Sequence, residues 1–250
     1  MIFTLSLSNP QLIFDSSSLF RIEAFVYCSF LKFSMRPIGL LIFDLDGTLV
    51  NTLEDITVSV NHTLTHLGKL PITQDAVRKY VGDGIEALLI RSLGGKAERV
   101  EEAVAVYKDY HRRNLVVHSL LYPAVREALG HFKVLPMAVI SNKTLEFIGP
   151  LLERLGIAGY FKMIIGADSG LPLKPAPDSV RKIMSTFGVS KEQTVIVGDG
   201  TTDVRAGKAA GVITCSVTYG FRSEEELRKA GPDYIIGTLS DLQKLFRPAS

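Results

Sequence analysis

Two patterns of hydrophobic and polar positions share this chain. Short, nearly continuous apolar runs recur at residues 38–43, 137–140, 163–165, 194–197, 213–217 and 233–236. Runs of this length, closed by Gly or polar residues, predict strands buried on both faces, with the last a short edge strand. Between them, apolar residues repeat at helical spacing over 145–155, 179–187 and 203–210, and Pro123 is placed to open a further helix. Strand and helix in alternation predict an α/β fold with a doubly wound parallel sheet. Residues 52–121 break the alternation. Leu53, Ile56, Val60, Leu64 and Leu67 mark one helix that Gly68 and Pro71 stop, and further helices are predicted over 75–93, broken at Gly82-Asp83-Gly84, and over 96–114. No β-like run separates them, so a small all-helical domain (52–121) is expected as an insertion after the first strand of a core formed by 35–51 and 122–250.

Composition narrows the function classes. The 250 residues are 46% hydrophobic, enough for a substantial core, and carry a formal net charge of only +2. No basic block or basic-aromatic stripe points to nucleic acid. Residues 1–33 are apolar but interrupted by Pro10, Asp15, Arg21, Glu23 and Lys32, so no membrane span is expected, and no charged leader with a cleavage site marks a secretory signal. Met35 stands just before the first strand, which makes it the expected natural start and leaves 1–34 as an extension of uncertain status. Cys28 and Cys215 form no CxxC pair, which fits a reducing, cytoplasmic setting. His62, His66, His111, His118 and His131 show no metal-ligand spacing and read as ordinary helical-domain or surface residues.

The chemistry is expected where strands stop. The first apolar run ends in Asp44-Leu45-Asp46-Gly47-Thr48. In open α/β sheets ligands collect beyond the carboxyl ends of strands, and side chains at i and i+2 of an extended chain face the same way. Asp44 and Asp46 can therefore address one substrate, and two close carboxylates call for a cation. The later runs end in Ser141-Asn142-Lys143, in a loop reaching Lys174-Pro175, and in Gly198-Asp199-Gly200-Thr201-Thr202-Asp203. Singly, Ser141, Asn142 and Asp203 also suit helix N-caps and Lys174 suits a surface loop. If the strands are neighbours, all of them converge on one crevice.

Taken in order, these four motifs resemble those of the haloacid dehalogenase superfamily, and the resemblance extends from residue 38 to the C-terminus, including the helical cap. It implies that Asp44 is a nucleophile forming an aspartyl-phosphate and that Asp46 is the general acid and base. It further implies that Ser141 and Lys174 hold the phosphoryl group and that Mg²⁺ is bound by Asp44, the Asp46 carbonyl and Asp199. Asp203 is expected to orient Lys174 or a metal-bound water from behind.

Within the family, an acid at Asp46 serves an oxygen leaving group and argues against a dehalogenase. Thr48 leans toward a phosphatase over a mutase. No cap lysine stands out as a Schiff-base former, although Lys69, Lys79 and Lys96 leave phosphonate cleavage open. The segment Tyr80-Val81-Gly82-Asp83-Gly84-Ile85 looks like the cap of phosphoglycolate phosphatases. Its glycine-flanked loop could aim N–H groups at a substrate carboxylate, or be a plain turn. Substrate contacts are accordingly expected from Thr48, Ser141, Asn142, Lys174, Gly82 and Gly84, while Arg91 reads as a surface residue. Asn51 and Gly200 depart from the family's usual Asp and Ser. The expected activity is Mg²⁺-dependent hydrolysis of a small phosphate monoester, 2-phosphoglycolate first. The alternatives are a sugar-phosphate phosphatase, a pyrophosphatase, a phosphosugar mutase and, from another class, a non-catalytic phospho-ligand-binding module. The expected partner is a small phosphorylated metabolite, with no nucleic acid and no membrane.

Overall fold

The computed structural model describes residues 35–249; the expected extension and Cys28 lie outside the described residues. The strands are β1 (Arg36–Ile38), β2 (Leu40–Phe43), β3 (Val50–Asn51), β4 (Leu120–Leu121), β5 (Met137–Ile140), β6 (Met163–Ile165), β7 (Thr194–Gly198), β8 (Ile213–Val217), β9 (Tyr234–Ile236) and β10 (Phe246–Pro248). The helices are α1 (Leu53–His66), α2 (Gln74–Tyr80), α3 (Ile85–Ser92), α4 (Val100–Arg113), α5 (Val125–His131), α6 (Leu145–Arg154), α7 (Asp178–Phe187), α8 (Thr201–Ala210), α9 (Glu224–Ala230) and α10 (Leu242–Leu245).

Six strands form one parallel sheet in the order β6-β5-β2-β7-β8-β9. The chain builds outward from β2 through β5 to β6, then crosses back to β7 on the other side of β2. That reversal puts the switch point at β2, whose Phe43 is in register with Val139 of β5 and Val197 of β7. The strands are apolar throughout because both faces are covered. Leu40, Ile42 and Ile196 pack under Val180 and Ile183 of α7 and Ala206 of α8. Leu41, Phe43, Val139 and Val197 pack with Leu129 of α5 and Ile148 and Leu151 of α6 on the other side. The two-residue period of the strand thus serves two cores at once.

Four details differ from expectation. The run 38–43 is not one strand: Gly39 bends the chain, donating its N–H to the Gln193 carbonyl at 2.8 Å, and Ile38 accepts instead from Ala249 N–H at 2.7 Å. A Cβ at Gly39 would stand 3.1 Å from Val189 Cγ1, so the bend is tight. Second, β3 and β4 form a two-residue antiparallel ladder, Val50↔Leu121 and Asn51↔Leu120, where the chain leaves for the helical segment and returns. Two residues carry no periodicity to detect. Third, α5 starts at Val125 rather than at Pro123, because Ala124 adopts a left-handed conformation at φ 63°. Fourth, α9 carries no apolar period but is set by a capping box between Ser223 and Glu226.

The segment from α1 to α4 has its own apolar cluster, including Ile56, Val60, Val77, Leu89 and Tyr107, closed by Phe221 from the loop after β8. Its return is anchored by buried Asp55 on α1, whose carboxylate accepts from Val117, His118 and Ser119 N–H and from Ser119 Oγ. On the far side, Glu146 of α6 pairs with Lys108 and Arg112 of α4 at 2.8 and 2.7 Å. No helix among the described residues is long and apolar enough to cross a membrane.

His111 is not an ordinary surface residue. It is 1% exposed, stacked on Tyr107 and edge-on to Phe147, and shares a hydrogen bond of 2.9 Å between Nδ1 and Ser59 Oγ. Burial, with Lys143 nearby, pushes its imidazolium pKa down to about 2. Below about pH 6.5 the unfolded chain binds a proton that the folded protein excludes, so His111 makes stability fall with acidity by about 1.4 kcal/mol per unit. In urea titrations, the stability gap between wild type and His111→Gln should shrink by roughly 1 kcal/mol or more from pH 7.5 to 5.5; a gap independent of pH would contradict this.

Candidate active site

Asp44 follows β2 directly, its N–H donated to the Val197 carbonyl at 2.9 Å. That bond continues the sheet by one residue and sets the Asp44 side chain between the ends of β5 and β7. Lys174 arrives from the loop after β6 and is 4% exposed. Its Nζ meets Asp44 Oδ1 at 2.7 Å, Asp203 Oδ1 at 2.6 Å and the Ile140 carbonyl at 3.0 Å. An ammonium has three donors, and here each has an acceptor. The two carboxylates outweigh the burial penalty and hold the Lys174 pKa above its ordinary value. The loop is fixed by Asn142, whose Oδ1 accepts from Lys174 N–H at 2.9 Å and whose Nδ2 donates to the Lys174 carbonyl at 2.9 Å.

Asp199, at the end of β7, accepts from Thr48 Oγ1 at 3.0 Å and from Phe221 N–H at 2.6 Å. Burial, opposed by the Phe221 bond, pushes its pKa up to about 6. Burial, with Asp203 and Asp199 adding to it against Lys174, pushes the Asp44 pKa well above its ordinary value. Asp203 opens α8; its second oxygen takes Gly200 N–H at 3.0 Å. Close packing makes glycine obligatory around these groups. A Cβ at Gly47, which sits at φ +90°, or at Gly220 would overlap Asp199, and one at Gly198 would overlap Asp203.

Asp46 turns away from that group. It accepts from Thr52 Oγ1 at 2.7 Å and pairs with Lys143 Nζ at 3.3 Å. Ser141, buried, lines with it a cavity of about 250 Å³, its Oγ accepting Lys143 N–H at 3.2 Å. The cavity is also lined by the Gly82-Asp83-Gly84 loop, with both glycines at positive φ, and by Tyr107 and Phe147.

Two expected substrate contacts take other places. Thr48 is fully buried with its hydroxyl spent on Asp199, behind the wall rather than on it. Asn142 lines the cavity, but its amide is committed to Lys174 and, at 2.8 Å, to the Gly82 carbonyl, so it ties the loops together. Arg91 holds the Tyr80 carbonyl and Asp83 from outside. Lys143, Tyr107, Arg205 and Arg222 also line the cavity and were not singled out. Lys143 was within sight, adjoining Ser141-Asn142; Arg222 follows another strand end, that of β8.

The oxygens of Asp44, Asp199 and Asp203 lie within 4.8 Å of one another. With Asp46, four carboxylates face two lysine ammoniums; fully ionised they would leave two negative charges in a small space, a crowding that adds to burial in raising the Asp44 and Asp199 pKa values. A divalent cation fits that deficit, and the donors are hard oxygens. Asp203 spends one oxygen on the Lys174 ammonium and the other on Gly200 N–H. Asp199 accepts only from the neutral donors Thr48 and Phe221 and Asp44 meets Lys174 through Oδ1, so these two carboxylates keep the most charge for a cation.

Residues 41–217 match the family model described as haloacid dehalogenase-like hydrolase. A phosphoglycolate phosphatase of Colwellia psychrerythraea is 34% identical over 212 residues, covering 81% of this chain and 94% of the relative. One from Aquifex aeolicus is 37% identical over 207 residues, covering 82% and 95%. Among solved structures, a predicted phosphoglycolate phosphatase from Haemophilus somnus superposes with a TM-score of 0.79 at 29% identity, covering 83% of this chain and 97% of that one.

Gly47→Ala should weaken divalent-cation affinity at least ~10-fold in calorimetric titration and lower the unfolding free energy by about 1–3 kcal/mol, from the left-handed backbone and the clash with Asp199. Wild-type values for both would contradict the packing argument.

Proposed function

We propose that this chain, which belongs to the haloacid dehalogenase-like hydrolase family, is a Mg²⁺-dependent phosphatase acting on a small phosphate monoester through a phosphorylated Asp44. The observation that carries the reading is the cluster of Asp44, Asp199 and Asp203 around the Lys174 ammonium at the switch point of the sheet. A dianionic phosphoryl group is the kind of ligand that a divalent-cation site and a buried ammonium side by side would serve.

Asp44, Asp199 and the Asp46 main chain would hold Mg²⁺, which would supply the charge that lets a dianionic ester approach carboxylates. Lys174 adds a fixed positive charge to the nucleophile and the phosphoryl oxygens, and the Ser141 hydroxyl donates to one of those oxygens. A carboxylate oxygen of Asp44 bonds to phosphorus as the ester P–O bond breaks, and Asp46 gives its proton to the departing alcohol. Water then attacks phosphorus, its proton passes to Asp46, and the P–O bond to Asp44 breaks. Inorganic phosphate and the free carboxylate are returned. Thr52 and Lys143 hold Asp46 in position between the two steps. Asp203 acts by orienting Lys174.

The helices α1–α4 serve as a cap domain over this site and exclude water during transfer. The cavity of about 250 Å³ suits a metabolite of a few heavy atoms beyond its phosphate. The names of the relatives support 2-phosphoglycolate as the first substrate to test, and a soluble substrate of this kind fits a cytoplasmic enzyme.

Purified protein should hydrolyse p-nitrophenyl phosphate, lose that activity on chelation and regain it with Mg²⁺. Asp44→Ala should abolish turnover, and Asp203→Asn should lower rate or metal affinity by roughly 10- to 100-fold. Wild-type turnover in Asp44→Ala would refute the nucleophile, and total inactivity of the intact protein on a panel of phosphorylated metabolites would favour a binding module.

A further inference from the structure

We propose that Arg222 is the specificity-determining residue of this site, receiving a carboxylate carried by the substrate close to its phosphate ester. The inference rests on the phosphatase reading above and adds a recognition element to it. Four cationic side chains line the cavity: Lys143, Lys174, Arg205 and Arg222. Lys143 is committed to Asp46, and Lys174 to Asp44 and Asp203. Among the described residues, Arg205 and Arg222 make no ion pair within 4.0 Å; Arg205 is exposed, whereas Arg222 is half-buried and held in place.

What holds Arg222 is backbone. Nη1 donates to the Arg78 carbonyl at 2.8 Å and Nη2 to the Val81 carbonyl at 2.5 Å, both at the C-terminal end of α2. Its guanidinium also packs against the cap loop, since a Cβ at Gly82 would lie 3.4 Å from Nη2. Two of its five N–H donors are thereby used, and the rest are uncommitted in a side chain that lines the cavity. The acidic neighbours are occupied elsewhere. Glu226 accepts from Ser223 N–H and Oγ, and Asp83 is paired with Arg91 at 2.5 Å.

Position argues further. Phe221, the preceding residue, donates its N–H to Asp199 Oδ2 at 2.6 Å, so the backbone that carries Arg222 is tied to the reacting end of the site. The side chain meanwhile reaches the cap, so one residue spans from the phosphate end to the specificity loop. A planar guanidinium fork pairs with a carboxylate by two parallel hydrogen bonds, a geometry no lysine reproduces. Of the cations lining the cavity, both lysines already serve the aspartates and Arg205 is exposed, which leaves Arg222 as the half-buried cation for a substrate carboxylate.

The test compares 2-phosphoglycolate with 2-hydroxyethyl phosphate, which keeps the ester and replaces the carboxylate by an alcohol, in wild type, Arg222→Lys and Arg222→Met. Wild type should favour 2-phosphoglycolate, and Arg222→Met should collapse the ratio of the two kcat/KM values by at least ~10-fold, chiefly through KM for 2-phosphoglycolate. Arg222→Lys should retain part of the preference. Equal losses on both substrates would show Arg222 to be only a tether of the cap and overturn the inference. So would a wild type that is active on both esters without preference, or an Arg222→Met enzyme with the preference intact. A wild type inactive on every phosphate ester would sink the phosphatase reading itself, and the inference with it. Thermal melts accompany each variant; should Arg222→Met not fold, Arg222→Gln replaces it in the same comparison with the same outcomes.

Discussion

A buried ammonium shared by two carboxylates is the constraint around which this protein is arranged. Lys174 can be buried only because Asp44, Asp203 and the Ile140 carbonyl accept its three hydrogens, and those acceptors come from the ends of β2 and β5 and the start of α8. Bringing them within 3 Å of one nitrogen requires the parallel order β5-β2-β7 with Phe43 in register with both neighbours. Breaking a buried ion group by removing one member costs about 3–5 kcal/mol, because a charge is left without a partner. The same packing forces glycine at positions 47, 198 and 220, where any side chain would enter the carboxylates. Residues far apart in sequence are thus bound to one another by a single electrostatic requirement.

The helical segment meets the core through few but well-placed contacts. Asn142 joins the Lys174 loop to Gly82, Arg222 reaches the end of α2, and Asp55 gathers three backbone N–H groups of the returning chain. Each is a side chain paired with backbone, which fixes position more tightly than an exposed ion pair such as those of Glu146. In the proposed reading chemistry and selectivity are divided: the strand ends hold the reacting groups, while the loop at Gly82–Gly84 and Arg222 shape what enters.

Much of this was legible in the sequence because its signals are long or local. Strands buried on both faces leave apolar runs, so all six strands of the sheet were visible, and Asp44, Asp199 and Lys174 stood where those runs and their loops end. Asp46-Gly47 was visible as a turn after a strand. What escaped has a physical reason in each case. The β3-β4 ladder is two residues long, Ala124 adopts a conformation that alanine rarely takes, and α9 is specified by a cap rather than by a stripe. Thr48 and Asn142 were legible as polar residues at the site, but their partners, Asp199 and Gly82, lie 151 and 60 residues away. His111 looked ordinary because burial between α4 and α6 is a property of the packed chain.

In the proposed mechanism an oxygen of Asp44 bonds to phosphorus during turnover. Protein quenched at steady state with borohydride would have any acyl phosphate reduced, converting the phosphorylated aspartate to homoserine, which peptide mass spectrometry locates. Homoserine at position 44, dependent on substrate and Mg²⁺, is the predicted result. Undiminished turnover with homoserine absent, or found only at Asp46, Asp199 or Asp203, would contradict it.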